Sequence, residues 1–296
     1  MKRIIWWLIL VVVLAGCPKP SVPQVASAEP SRSKQAVASA KIRIATFNIQ
    51  NFGPAKAGKP EVMKVLASII RKYDIVAVQE VSDVSGQAPR KLLAEINAGG
   101  SAYALLLSER TGQQPDDHSS QEQYAFYYNT RTVRTRDNGM LYPDGAHDYF
   151  QREPFVAGFA GTGGTFRVVL ATIHTMPERA PAEIAALKEV VGWIRARYPG
   201  EDDFLMLGDF NAGCAYVTPT QLQELRTVEL PYLWIVPDTS DSNVSTSSSC
   251  PYDRIVSANG LMPNYTGNWG VDRAFTDKAV SDHWPVWAEF STVSAR

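Results

Sequence analysis

Phe204-Leu205-Met206-Leu207-Gly208-Asp209-Phe210-Asn211 decides how the chain reads. Phe204 to Leu207 is a short unbroken apolar run, the mark of a strand buried on both faces. Gly208 lets the backbone turn, and Asp209 and Asn211, two residues apart, point into one cleft. Taken alone, G-D-x-N also describes a surface turn capped by its own Asx side chains. Working outward, the same arrangement recurs at other strand-like runs. Asn48 stands in IATFNIQNFG, Glu80 in DIVAVQE, His174 in VVLATIH, and Asp282 and His283 in SDHWPV, with Asp253 in CPYDRIV joining them. Each has a plainer reading: Asp253 beside Arg254 is a simple ion pair, and a lone histidine is a satisfied structural residue. Glu80 is different, because a carboxylate after the apolar run that begins at Ile75 is costly unless paired or metal-bound. Hard oxygen ligands with two imidazoles at strand ends suit holding a Mg²⁺-type cation and a phosphate while histidines move protons.

The rest of the chain supplies α/β architecture. Residues 41–49 alternate as a strand, and 61–72 carry Val62, Val65, Leu66, Ile69 and Ile70 at helical spacing. Strands are expected at 75–78, 103–107, 124–128, 204–207, 232–236, 254–258 and 284–290, with a hairpin over 155–159 and 166–173. Helices are expected at 90–97 and 181–197, the second opened by Pro181 and stopped by Gly200. Gly161-Thr162-Gly163-Gly164 invites reading as a phosphate loop, but no helix follows it, so it reads as a turn. One domain over 41–296 follows, with no repeat and no second linker.

Composition is that of an ordinary globular protein, 45% hydrophobic and 20% charged, with a formal charge of −1. Losing Lys2 and Arg3 with a signal peptide leaves −3. Bulk electrostatic adhesion to nucleic acid is therefore not expected, and any polyanion must be held by a local cleft and its cations.

Lys2 and Arg3 precede the apolar run from Ile4 to Ala15, which is short for a membrane span and right for an export signal. Leu14-Ala15-Gly16-Cys17 resembles a bacterial lipobox. That resemblance implies a signal peptide over 1–16, a diacylated Cys17, and a lipid-anchored protein at a bacterial membrane, with Pro18 favouring the outer one. Residues 17–40, rich in Pro, Ser and Ala, read as a flexible tether. Cys214 and Cys250 then remain in an oxidising compartment, as a bridge or as two buried thiols.

IATFNIQNFG, DIVAVQEV, QREPFVAGF, TIHTMP, GDFNAGCAYVT, CPYDRIV and SDHWPV closely resemble pancreatic-type deoxyribonuclease I, of the Mg²⁺-dependent endonuclease/exonuclease/phosphatase superfamily. The resemblance spans about 41–290. It implies a sandwich of two β-sheets flanked by helices, and a phosphodiesterase acting on DNA, expected as a monomer. It implies His283 as general base oriented by Asp253, and His174 as general acid paired with Glu122. Asn48, Glu80, Asp209, Asn211 and Asp282 would hold Mg²⁺ or Mn²⁺ and the scissile phosphate. Arg152 and Tyr216 match positions near DNA or the cleft, although a salt bridge to Glu153 is the plain alternative for Arg152. A Cys214–Cys250 disulfide is implied as well. So are structural Ca²⁺ sites, one at Asp241 and Thr246 and another at Asp144, Asp148 and Glu153.

The match fails at three DNA contacts, where this chain carries Gln50, Ser82 and Ser120 in place of two arginines and a tyrosine. Hydrolysis is expected to survive, with groove preference open. The same fold in other relatives cuts RNA, phospholipid headgroups or other phosphate esters, and those remain alternatives. A non-enzymatic nucleic-acid-binding scaffold is a third class, opposed by the intact His174, His283, Asp253 and Asp209.

Overall fold

The computed structural model describes residues 41–112, 121–145 and 147–293. The signal and tether readings, Cys17 and Ser120 lie outside the described residues. In chain order, β1 (Lys41–Asn48), α1 (Pro54–Ala57), α2 (Pro60–Ile70), β2 (Ile75–Val81), α3 (Gln87–Asn97), β3 (Tyr103–Leu107) and β4 (Gln123–Asn129) come first. β5 (Val133–Thr135), β6 (Met140–Leu141), β7 (Phe155–Gly161), β8 (Arg167–His174), α4 (Ala180–Arg197) and β9 (Phe204–Asp209) follow. α5 (Pro219–Glu224), β10 (Leu233–Trp234), β11 (Asp253–Ser257), β12 (Tyr265–Val271) and β13 (Val286–Ser291) complete the chain. One sheet has the order β12-β13-β1-β2-β4-β3 and the other β10-β11-β9-β8-β7-β5, with β6 paired to β7. β1 with β2 and β8 with β9 run parallel. No helix among the described residues is long and apolar enough to cross a membrane.

Strand periodicity builds four layers. Ile42 and Ile44 of β1, Ile75 and Ala77 of β2, Val168 and Leu170 of β8, and Leu205 and Leu207 of β9 fill the space between the sheets. Residues of opposite parity face helices: Phe47, Val76 and Val78 pack with α2 and α3, and Val169, Ala171 and Met206 with α4. Each fully buried Ile, Leu or Phe contributes roughly 1.5–3 kcal/mol. A one-residue slip of any strand would turn its apolar set to the wrong face, so register is strongly fixed.

The inward faces change character toward one end. Continuing the same parity, β1 reaches Thr46 and Asn48, β2 reaches Gln79, β8 reaches Thr172 and His174, and β9 reaches Asp209. Asp253 opens β11 directly opposite Asp209, so it lies at the same end. Glu80 breaks the parity rule. By position it belongs with Val76 and Val78 under the helices. The β2–β4 register shifts between Val78 and Val81, and Glu80 takes φ 60°. The irregularity re-aims the carboxylate toward the site.

Most expected elements stand where the sequence put them, with shifted ends. α3 begins at Gln87, three residues before the expected start at Arg90, because the Asp83 carboxylate accepts from Ala88 N at 2.6 Å and Gly86 turns at φ 64°. β10 is shorter than expected. The glycine run joins β7 to β8 as a turn. β5, β6 and β12 were not expected. β12 carries Gly267 and Gly270 and an irregular register, which erases its alternation.

Candidate active site

Asn48 ties the two sheets together at their polar end. Its Nδ2 donates to Glu80 Oε1 at 2.8 Å within one sheet and to Asp209 Oδ2 at 3.0 Å in the other. Asn48 Oδ1 accepts from Gln50 N at 2.8 Å, and Glu80 Oε2 accepts from Asn51 N at 2.8 Å. Gln50 and Asn51 both sit at positive φ, as does Asn211. Strained backbone of this kind persists where surrounding bonds over-determine it. Asn211 N donates to Asp209 Oδ1, and its Nδ2 donates to Thr175 O at 3.0 Å. Gly208 makes the parallel crossing possible: at φ 151°, a Cβ there would lie 1.9 Å from Ile173 O.

Two histidines face this floor. His174 Nδ1 lies 2.9 Å from Glu122 Oε2, and His283 Nδ1 lies 2.7 Å from Asp253 Oδ2. Both Nε2 atoms approach the same Asp209 oxygen, at 3.7 Å from His174 and 3.5 Å from His283. Burial disfavours the imidazolium of His174, yet the charge and hydrogen bond of Glu122 together with Asp209 overcome it and hold the pKa above the ordinary histidine value. Burial likewise works against charge on His283, but Asp253 and then Asp209 overcome it and lift the pKa to about 10. Burial raises Asp209 as well, and the two histidines with the hydrogen bonds from Asn211 and Asn48 overcome it, so that carboxyl lies below its usual value.

The donor set fits a hard divalent cation. Asp282 Oδ1 is buried without a hydrogen-bond partner, while its Oδ2 accepts from Gln50 Nε2 at 2.7 Å. Asp209, Asp253 and His283 offer ligand-type atoms within 4.8 Å of one another. The His283–Asp253 hydrogen bond already occupies Nδ1, so this trio is a paired dyad beside Asp209 rather than three open ligands. The oxygens of Glu80, Asp209 and Asp282 are the better cation donors, with the side chains of Asn48 and Asn211 beside them.

Residues 45–283 match the model of the endonuclease/exonuclease/phosphatase family. The chain belongs to that family. It is 33% identical over 272 residues to deoxyribonuclease gamma of Mus musculus, covering 86% of each chain. It is 36% identical over 262 residues to deoxyribonuclease-1 of Sus scrofa, covering 83% of this chain and 90% of the relative. Among solved structures, a Bacteroides vulgatus endonuclease/exonuclease/phosphatase superposes with TM-score 0.59 at 18% identity, covering 85% and 98% of the two chains. Humanized D. rerio TDP2 gives 0.61 at 15%, covering 86% and 100%. These two share the family's sandwich of two sheets with flanking helices.

Other expected residues have distinct placements. Arg152 is buried behind His174, donating to His174 O and Thr175 O at 3.1 Å each. Its ionic neighbour is Glu122 at 3.5 Å, while Glu153 bonds Thr111 and Gly112 instead. Arg254 turns away from Asp253 and pairs with Asp238 at 3.0 Å, donating also to Ala212 O. Tyr216, 38% exposed, packs a tilted ring against Tyr252, whose ring in turn lies tilted against His283. Cys214 and Cys250 are bridged. Asp241 Oδ1 accepts from Asn243 N and Cys250 N, and Thr246 is exposed. Asp144 keeps one buried oxygen without a partner, and Asp148 is exposed at φ 48°. Sequence reasoning overlooked Lys56, whose buried ammonium donates to Ile49 O and Val280 O and whose pKa burial lowers to about 8. It also overlooked Ser281, which joins Asn48 O to His283 N.

Proposed function

We propose that the chain is an exported, divalent-cation-dependent endonuclease that hydrolyses DNA phosphodiester bonds. The facing pair of carboxylate-backed histidines, both directed at Asp209, carries this reading. In-line hydrolysis needs a base on the attacking side of phosphorus and an acid on the leaving side. His283 Nε2 removes a proton from water as the water oxygen bonds to phosphorus. His174 Nε2 gives its proton to the ester oxygen as the old P–O bond breaks. Asp253 and Glu122 fix each ring's orientation through Nδ1. One water is consumed, and one phosphate end and one hydroxyl end are released. Glu80, Asp209 and Asp282, with Asn48 and Asn211, would hold Mg²⁺ or Mn²⁺, which when bound supplies charge neutralisation at the phosphate. Neutralising Asp209 and Asp282 also weakens the pull that holds His283 near 10, bringing it toward a base's working range. DNA as substrate is supported by the relatives named deoxyribonucleases.

Lipid attachment at Cys17 would keep the domain at a bacterial membrane, with the outer one favoured by Pro18. Cys17→Ser is expected to release the protein from the membrane fraction. Structural Ca²⁺ would sit at Asp144, Asp148 and Glu153 or at Asp241 and Thr246. The deciding experiment incubates the purified protein with supercoiled plasmid in Mg²⁺, with and without Ca²⁺. EDTA and His283→Ala serve as controls. Nicking that needs both the cation and His283 supports the reading. A folded, cation-loaded protein that leaves the plasmid intact sinks it, and directs the search to single strands, RNA and phospholipid headgroups.

A further inference from the structure

Between the apolar filling of the sandwich and the active-site floor lies one layer of polar side chains. Thr46, Gln79 and Thr172 are each 0% exposed. Gln79 Nε2 lies 2.9 Å from Thr46 Oγ1 in its own sheet and 2.8 Å from Thr172 Oγ1 in the opposite sheet. Thr46 Oγ1 also reaches Gln79 Oε1 at 3.1 Å. An amide and two hydroxyls buried in an apolar interface are costly unless paired, and residues such as Val and Met would fill the same volume without that cost. Cohesion therefore does not account for them. Their placement does: Thr46 is two residues before Asn48, Thr172 two before His174, and Gln79 one before Glu80.

Apolar contact between two sheets is non-directional and tolerates small sliding. Hydrogen bonds of 2.8–2.9 Å do not. Directly above this layer, the site itself spans the sheets, through Asn48 to Asp209 at 3.0 Å and His174 to Glu80 at 4.0 Å. We propose that Gln79, with Thr46 and Thr172, forms a positioning network that sets the offset between the two halves of the active site. The proposal rests on the hydrolytic reading of that site. None of the three touches substrate; they act by holding Asn48, Glu80 and His174 in mutual register.

The test replaces the whole network with apolar residues of matching shape, Thr46→Val, Gln79→Met and Thr172→Val together. Removing every partner at once leaves no buried polar group unsatisfied, so stability is expected to hold, with Tm within about 4 °C of wild type. A network that only stabilised would then leave catalysis untouched. A positioning network predicts a kcat lower by about 100-fold, with KM for DNA nearly unchanged. Full activity in the stable triple variant overturns the proposal. If the triple variant does not fold, Thr172→Val alone breaks the inter-sheet bond while Gln79 keeps Thr46. It leaves one Gln79 N–H unpaired and lowers Tm somewhat, but in folded protein it must lower kcat by about tenfold, and wild-type kcat there overturns the proposal. Mn²⁺ binding, followed by calorimetry on the purified proteins, separates this inference from the functional reading. If wild type fails to cut DNA, the functional reading falls. Weakened Mn²⁺ binding in the variant still upholds the network, and unchanged Mn²⁺ binding refutes it.

Discussion

Each histidine of the candidate site carries a carboxylate at its Nδ1, Glu122 for His174 and Asp253 for His283. Burial alone would push both imidazoles toward neutrality. At His174, Glu122 together with Asp209 reverses that, so the ring holds its proton above the ordinary histidine value. In the proposed mechanism His174 is the acid and must carry its proton, so activity is expected to fade as pH rises through its raised pKa. Glu122→Gln removes the negative charge while keeping the shape, lowers that pKa, and moves the alkaline limb of kcat/KM to lower pH. The acid limb, set in this reading by His283 once a bound cation weakens its hold on the proton, is expected to stay where it was. An alkaline limb unmoved by Glu122→Gln assigns the acid to another group. On the opposite side, Asp253→Ala leaves His283 without its Nδ1 acceptor, and kcat is expected to fall by about 100-fold or more in single-turnover assays. These pairings were within reach of the sequence only through resemblance, because Glu122 and His174 are far apart in the chain. Arg152, matched by its motif to a position near the cleft, stands beside Glu122 with its guanidinium bonded to the carbonyls of His174 and Thr175.

Strands explain what the sequence could and could not disclose. Period-two alternation on β1, β8 and β9 carries an apolar face directly into Asn48, His174 and Asp209, so both the fold and those residues were legible together. Glu80 was found by its cost after an apolar run, yet its direction depends on a bulge that no pattern announces. Lys56 and Ser281 were missed because each acts through backbone carbonyls or amides, which leave no signature in side-chain type. β12 was missed because glycines interrupt its alternation. Gly208 is the element-scale feature most exposed to test. Its φ of 151° and the 1.9 Å approach of Ile173 O to a built Cβ leave no room for a side chain between β8 and β9. Gly208→Ala is expected to destabilise by about 4 kcal/mol or more, or to prevent folding, as read by urea denaturation. A variant within about 0.5 kcal/mol of wild type would mean the parallel pair relaxes without strain.

At the scale of the whole molecule, neither sheet alone holds the candidate site. Asn48 and Glu80 come from one sheet, with Asp282 and His283 leading into its strand β13. His174, Asp209 and Asp253 come from the other. The Cys214–Cys250 bridge closes a separation of 36 residues that joins the segment after Asn211 to the segment before Asp253, both at the site's rim. In the chain-entropy account a loop of that length stabilises by about 4 kcal/mol, so a Cys214→Ser, Cys250→Ser protein should unfold at lower urea. The two-sheet origin of the site makes a sharper demand. Catalysis cannot outlast the docking of the sheets, and no smaller unit can retain it. In a urea titration of the wild-type protein, loss of nuclease activity, far-UV circular dichroism and tryptophan fluorescence should therefore follow one superimposable transition. Activity lost at clearly lower urea than the spectroscopic signals would place a looser, locally unfolding layer at the polar end of the sandwich. That layer would be the loops carrying Gln50, Asn51 and Asp282, whose positive-φ turns and cross-bonds hold the site in shape at the edge of the packed core.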